Sequence, residues 1–408
     1  MIDINKVRKD FPMLQNKKMQ GKNLVYFDNA ATSFKPQCVI DAEMEYYTNY
    51  TANTHRGDYD LAYEADVKFD KSREIIASFI HANKNEICFT SGDSMSLNLV
   101  AYGFIPLLSK EDEILLTVAE HASLVLPWFT VSRIVGCKIR YIDLDENGRV
   151  TKENLEKAMN ENVKIVAIAH VSNVIGCVND IKELSSVVHK YNAYLVCDGA
   201  QSIPHMKIDV KDLDVDIFTF SGHKLYGPTG IGVLYGKHEL LDKLDPYMQG
   251  GGMNASFEKN GDVKYLEVPA KFEAGTQNIA GVIGLAKACE YLSLLGMDNI
   301  YHYELDLKKY FIEKLSQLDN VVIYNKEAET GIVTFNIKNV FAQDAASLFN
   351  KYGICVRSGE HCAKLINNFL ETEATLRASV CFYNTKEEID YFIEVCKKGG
   401  DFLDAFFA

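Results

Sequence analysis

The sequence predicts an α/β fold built on one long sheet, with a smaller α+β unit toward the C-terminus, and three observations carry this. Short apolar runs of strand length end at small or hydroxyl residues and lead into helical spacing. One such run, 87–90, passes through Ser91-Gly92-Asp93-Ser94 into a helix marked by Leu97, Leu99, Val100 and Phe104. A chain of 408 residues, 47% hydrophobic and 24% charged, is globular and large enough for two domains that share a sheet. A long helical pattern over 281–318, strand patterns at 321–324 and 331–337, and helices near 343–352 and 386–398 then fit the smaller unit.

Composition narrows the function classes. A formal charge of -13 argues against nonspecific nucleic-acid binding. No run approaches the roughly 18 apolar residues of a membrane span, and MIDINKVRKDF lacks an apolar signal core, so no membrane association and a cytoplasmic location are expected. Ten cysteines are scattered without a C-x-x-C pair or zinc-like spacing, which reads as reduced thiols and predicts no metal site.

The elements follow in order. Residues 23–27 form a strand entering Asp28-Asn29-Ala30-Ala31-Thr32, an Asx-type turn that can cap the helix near Cys38. His55-Arg56-Gly57 sits in a loop without periodicity, and 61–80 is an amphipathic helix with a solvated charged face. At 91–94 a strand end, a glycine turn and a helix N-terminus make an anion site, since free amides and the helix dipole face a phosphate. The strand 113–118 ends at Glu120-His121-Ala122-Ser123, and the strand 165–170 at Val171-Ser172-Asn173, with Gly176 beyond. The apolar run 194–197 ends in Asp198.

Between the strands 216–220 and 230–235 lies SGHKLYGP at 221–228, which puts Lys224 in a short loop at a strand end, where an open α/β sheet holds its ligands. Such a lysine can hold pyridoxal phosphate as a Schiff base. Ser221 and His223 can contact the phosphate, and Asp198 can face the ring nitrogen. Gln249-Gly250-Gly251-Gly252-Met253 is a flexible loop whose glycines either cradle an anion or bend the chain.

DGAQS at 198–202 followed by SGHKLYGPTGIG at 221–232 resembles the class V aminotransferase group of fold type I pyridoxal phosphate enzymes. More narrowly, it resembles the group II, Suf-type cysteine desulfurases and the related selenocysteine lyases, over about 26–384. The resemblance implies a large domain at 22–280, whose mostly parallel seven-stranded sheet lies between helices. It also implies a small domain of 1–21 and 281–408 that carries a catalytic cysteine loop.

The same resemblance assigns roles. Lys224 is the cofactor lysine and Asp198 the acid at the ring nitrogen. His121 stacks on the ring and moves protons. Gln201 and Asn173 reach the ring oxygen, although either amide also suits a turn, and Asn173 can instead meet the substrate carboxylate. Ser94, Ser221 and His223 hold the phosphate, joined by Thr276 reaching across a dimer interface. Arg377 and Arg357 clamp the amino acid's carboxylate, and Cys362, in VRSGEHCA at 356–363, carries the persulfide. Only twenty positions separate Arg357 from Arg377, with no extended insertion after Cys362, and in the family this short loop marks the group II type and implies a dedicated sulfur-acceptor protein. The implied activity is a homodimeric conversion of L-cysteine to L-alanine, with the sulfur feeding iron-sulfur cluster assembly. A selenocysteine lyase and a catalytically silent scaffold are the alternatives.

Three departures bear on this. Asp93 stands where the family has a threonine, so its carboxylate either faces the phosphate and weakens cofactor binding or turns outward as a helix cap. Glu360 replaces a histidine and opposes the lowering of the Cys362 pKa expected from His361. Lys271 and Gln277 replace an arginine and a proline before and after Thr276.

Overall fold

Seven strands pair into one sheet in a computed structural model that describes residues 2–398 apart from Asn16 and Arg56. In chain order the strands are β1 (Ile87–Thr90), β2 (Glu113–Leu116), β3 (Lys138–Tyr141), β4 (Val163–Ala169), β5 (Tyr194–Asp198), β6 (Ile217–Ser221) and β7 (Gly232–Gly236). Across the sheet they lie β1-β7-β6-β5-β4-β2-β3. All neighbours are parallel except β7, which runs antiparallel to both β1 and β6.

Strands β6 and β7 are buried at every position, because helices cover both faces of the sheet and leave no face for polar alternation. The C-terminal edge of β2, β4, β5 and β6 therefore gathers the segments holding His121, Asn173, Asp198 and Lys224, and the fold class expected from the sequence is what forms.

The helices that frame this edge start where their sequences dictate. Helix α1 is Gln37–Asn49, α2 Asp60–Phe79, α3 Asp93–Gly103 and α4 Ala122–Val135. Gly92 precedes α3 at φ +151, and a Cβ added to Gly232 would stand 2.5 Å from the Gly92 backbone. Only glycine at 232 lets β7 run this close under the turn. The helical region expected over 281–318 is two helices, α5 (Ile279–Leu295) and α6 (Met297–Leu315), which meet at 75° because Gly296 adopts φ +83 between them.

A second, antiparallel sheet holds β8 (Val321–Ile323), β9 (Ile332–Ile337), β10 (Arg357–Gly359) and β11 (Thr375–Ser379) in the order β8-β9-β11-β10. Helices α7 (Ala342–Lys351) and α8 (Lys386–Cys396) pack on it, and the Phe349 and Phe392 rings stack at 4.6 Å. A capping box of Thr385 and Glu388 fixes the start of α8.

Residues 25–27 pack with this second sheet. Val25–Tyr26 pairs in parallel with Ile354–Cys355, and Phe27 meets Phe311 and Phe392. Phe11, fully buried, joins Tyr226, Phe382 and Tyr383 at the seam between the sheets. Its burial stabilises the seam by about 1.5–3 kcal/mol. The strand expected at 23–27 is divided into Lys22–Asn23 and Val25–Tyr26, and the glycine loop at 249–253 leads into a hairpin, Asn254–Phe257 with Val263–Tyr265, that the sequence did not signal. Among the described residues no single helix is long and apolar enough to cross a membrane.

Candidate active site

The floor of the site is set by β5 and β6. Asp198 ends β5, 5% exposed, and accepts a hydrogen bond from the Ala200 amide at 2.9 Å. One strand over, β6 ends in Ser221 and turns through Gly222–Lys224. Burial pushes the Lys224 pKa down, against the opposing pull of Asp198 and Asp93.

The lysine loop is braced by a segment whose role was not read from the sequence. Ser33 donates to the Lys224 carbonyl at 3.0 Å and accepts from the Tyr226 amide at 2.9 Å, while Thr32 and Lys35 donate to the His223 carbonyl. Hydroxyls at 32 and 33 directly after the Asp28 turn were the only available signal. His223 is pushed down to about 4 by burial, then by Lys224 and Lys35, so it meets a ligand as a neutral imidazole.

His121 forms one wall as the N-cap of α4. Its Nδ1 accepts from the Ser123 amide at 3.1 Å, which leaves the proton on Nε2, and burial with Lys224 nearby holds the ring neutral. The cysteine loop closes over this wall. The Cys362 carbonyl accepts from the Ala122 amide at 2.7 Å, and the His361 carbonyl from Asn173 Nδ2 at 2.8 Å. His361 and Cys362 have φ +51 and +58, a conformation costing about 1–2 kcal/mol per non-glycine residue, which these two anchoring bonds offset.

Cys362 itself is exposed at the mouth. The role expected of His361 toward that thiol does not hold. Its Nε2 is bonded to the Thr375 hydroxyl at 2.8 Å, and burial, then Arg377, depress its pKa to about 3, so it carries no positive charge near neutral pH. Arg377 is the cation that feels Cys362 electrostatically. Glu360 faces outward, half exposed, 3.8 Å from Lys364.

The two arginines sit opposite each other in register on β10 and β11. Arg377, 2% exposed, donates Nη1 to the Asn173 carbonyl at 2.8 Å and approaches Asp28 at 3.5 Å; Arg357, more exposed, reaches the same carboxylate at 3.3 Å. Burial lowers the Arg377 pKa to about 10, so it stays charged at neutral pH.

Lys224, Asp198, Gln201, Ser221, His223, His121, Ser94, Asn173, Arg377, Arg357 and Cys362 thus line one cleft of about 210 Å³. Thr276 does not. It is exposed and borders a separate cavity with Ser91 and Met248, on a loop pinned by Glu273. Arg56 lies outside the described residues. Asp93 takes neither orientation foreseen for it: it is buried at the first turn of α3, with its carboxyl beside Asp198 in the cleft.

Buried polar atoms without hydrogen-bond partners test whether the cleft suits a polar ligand. Asp93 Oδ1, Asn173 Oδ1, Gln201 Oε1, His361 Nδ1 and Arg377 Nε are such atoms, and all belong to its lining residues. With a buried amine, a carboxylate and hydroxyl donors beside them, this set fits pyridoxal phosphate and an amino acid.

Known proteins match the chain closely. The aminotransferase class-V family matches residues 25–392. A protein of Halalkalibacterium halodurans described as a probable cysteine desulfurase is 43% identical over 98% of this chain and 99% of its own. The apo structure of a cysteine desulfurase from Thermococcus onnurineus NA1 superposes with a TM-score of 0.92 at 39% identity, covering 98% of each chain. A cysteine desulfurase of Escherichia coli does so at 0.91 and 32% identity, covering 98% of this chain and 99% of that one.

Proposed function

Because the chain belongs to the class-V aminotransferase family, we propose that it is a pyridoxal phosphate-dependent cysteine desulfurase of the group II type, converting L-cysteine to L-alanine and leaving the sulfur on Cys362. The observation that carries this is the convergence of Lys224, Asp198, His121, Arg377 and Cys362 on one cleft. When bound, the cofactor supplies an electron sink that acidifies the Cα proton of an attached amino acid.

The chain's own residues do the rest. Lys224 holds the cofactor and then takes the Cα proton, a task for which its depressed pKa suits it. Asp198 would keep the ring nitrogen protonated, His121 would pack on the ring, and Gln201 and Asn173 would meet the ring oxygen. Ser94, Ser221 and His223 hold the phosphate. Arg377 and Arg357 grip the substrate carboxylate and release Asp28 from their shared contact.

The Cys362 thiolate then attacks the substrate sulfur. The carbon–sulfur bond breaks, a sulfur–sulfur bond forms, and one protein thiol plus one cysteine give one persulfide plus one alanine. In this reading 22–280 is the cofactor domain, and 1–21 with 281–408 the domain carrying the cysteine loop.

The functional unit proposed is a homodimer in the cytoplasm, with Thr276 completing the phosphate site of a second copy; exposed Phe257 and Tyr63 supply apolar surface for that contact. Sulfur leaves to a small Suf-type acceptor protein and feeds iron-sulfur cluster assembly. An exposed Cys362 beside an open groove lined by Phe341 and Glu360 supports such a handover. Adding L-cysteine to protein reconstituted with pyridoxal phosphate should yield alanine and persulfide in equal amounts in the first turnover. Alanine from selenocysteine but none from cysteine would transfer the reading to a selenocysteine lyase.

A further inference from the structure

Asp93 carries an inference that rests on the cofactor reading above. It is the first residue of α3, and its amide donates to Ser221 Oγ at 2.8 Å, which fixes the turn so that its side chain enters the cleft instead of capping the helix. There the residue is 7% exposed, and its Oδ1 has no hydrogen-bond partner among the described residues. The carboxyl meets Asp198 in the same cleft, and Asp198 on β5 is the register partner of Thr219 on β6, whose hydroxyl is likewise without a partner. Two buried carboxylates in contact do not both ionise, because each charge raises the cost of the other in a site shielded from water.

The surroundings decide which one keeps the charge. Asp198 accepts a hydrogen bond from the Ala200 amide, whereas the Asp93 carboxyl receives no main-chain donor. Lys224 and the positive end of α3 favour an ionised Asp93. The other groups facing the pair do not reverse the balance: His121 and His223 are neutral, Glu120 is pushed up to about 8, and Arg377 and Arg357 stand across the cleft against Asp28.

We propose that Asp93 is a positioning residue whose carboxyl stays protonated and donates to Asp198, so that the two form one monoanionic acid pair at the place assigned to the ring nitrogen. In agreement, burial first and Asp198 second push the Asp93 pKa up to about 8. Asp198, already accepting that proton, is a weaker acceptor for the ring N–H than an isolated carboxylate. Above the titration point the pair becomes a dianion, and the site changes character within the physiological range.

The test is the infrared band of protonated carboxyl groups in the full-length chain, measured from pH 6 to 9 in the reconstituted protein and again after cofactor removal. After cofactor removal the wild type should lose two protonated carboxyls near pH 8, those of Glu120 and Asp93, and Asp93→Asn should lose only the Glu120 signal. Asp198→Asn should move the titration of the remaining acid down by about one pH unit or more. In the reconstituted protein, the pH dependence of the lysine-linked cofactor absorbance should differ between wild type and Asp93→Asn.

A wild-type spectrum identical to that of Asp93→Asn across this range overturns the pair, as does an unmoved titration in Asp198→Asn. The two readings separate cleanly. The carboxyl titration without any lysine-linked cofactor band upholds the pair and removes the cofactor reading, while the band without the titration does the reverse.

Discussion

Cutting the tie between Arg73 and Glu273 tests whether the loop that bears Thr276 is held by one buried ion pair. Arg73 on α2 meets Glu273 through two bonds of 2.8 and 2.7 Å, with side chains 7% and 8% exposed. Glu273 Oε1 also accepts from the Phe89 amide at 2.8 Å, and Arg73 donates to the Ile87 carbonyl at 2.7 Å, so the pair staples the loop to β1.

Arg73→Met strands a buried carboxylate with one amide for company and should cost about 3–5 kcal/mol. Glu273→Leu strands the guanidinium and should cost a similar amount. The double variant removes both charges and leaves chiefly the Phe89 amide unsatisfied, a cost of about 1–3 kcal/mol. At roughly 0.9 kcal/mol per degree of unfolding entropy for a chain of this size, each single variant should melt about 3–6 °C early. The double variant should melt closer to wild type.

Urea unfolding followed by circular dichroism, with calorimetry for Tm, reads all three. Single variants that lose less than about 1 kcal/mol, or a double variant worse than either single, would refute the reasoning. If Thr276 completes the phosphate site of a second copy as proposed, the loosened loop in the singles should also weaken cofactor binding.

Four further outcomes follow from the site. Lys224→Ala should fold yet lack covalently held cofactor, and borohydride reduction of the wild type should leave the pyridoxyl group on Lys224; a label on another lysine refutes the assignment. Cys362→Ser should keep the cofactor spectrum and lose turnover of L-cysteine, while selenocysteine still reacts to some degree; labelled sulfur on a different cysteine with full turnover would sink the nucleophile. Arg377→Lys replaces a planar fork with a point charge and loses a charged hydrogen bond worth about 1.5–3 kcal/mol, so KM for L-cysteine should rise roughly 10- to 100-fold with a smaller change in kcat. Glu120, held between the Thr117 hydroxyl and the Ala169 amide, has its pKa raised by burial to about 8. A raised acid gives stability that is lost as pH climbs toward its folded pKa, so the stability of Glu120→Gln relative to wild type should grow between pH 5 and 8, by up to about 1.36 kcal/mol per unit. A flat difference in urea unfolding across that range would show Glu120 ionised in the fold.

Periodicity and turn chemistry are local, and what they control was legible in the chain. The apolar run ending in Asp198, the SGHKLYGP loop and the glycine turn at Gly92 each mark a strand end, and strand ends on one edge of a parallel sheet must converge. The arginines and Cys362 were read through the family resemblance of the segments at 356–363 and 376–379, not from local chemistry alone.

What the sequence could not show arises between segments far apart in the chain. The bend at Gly296 depends on a positive φ that a lone glycine in an apolar helical run does not announce. The neutrality of His361 depends on burial and on Arg377, which the neighbouring strand β11 brings beside it. Asp93 is the sharpest case. Read along the chain, it was a charge at a helix start, where a carboxylate is favoured on its own but opposed by a bound phosphate. In three dimensions the Ser221 hydroxyl holds its backbone, and burial first, with Asp198 from 105 positions away in the chain second, pushes the pKa of its carboxyl up.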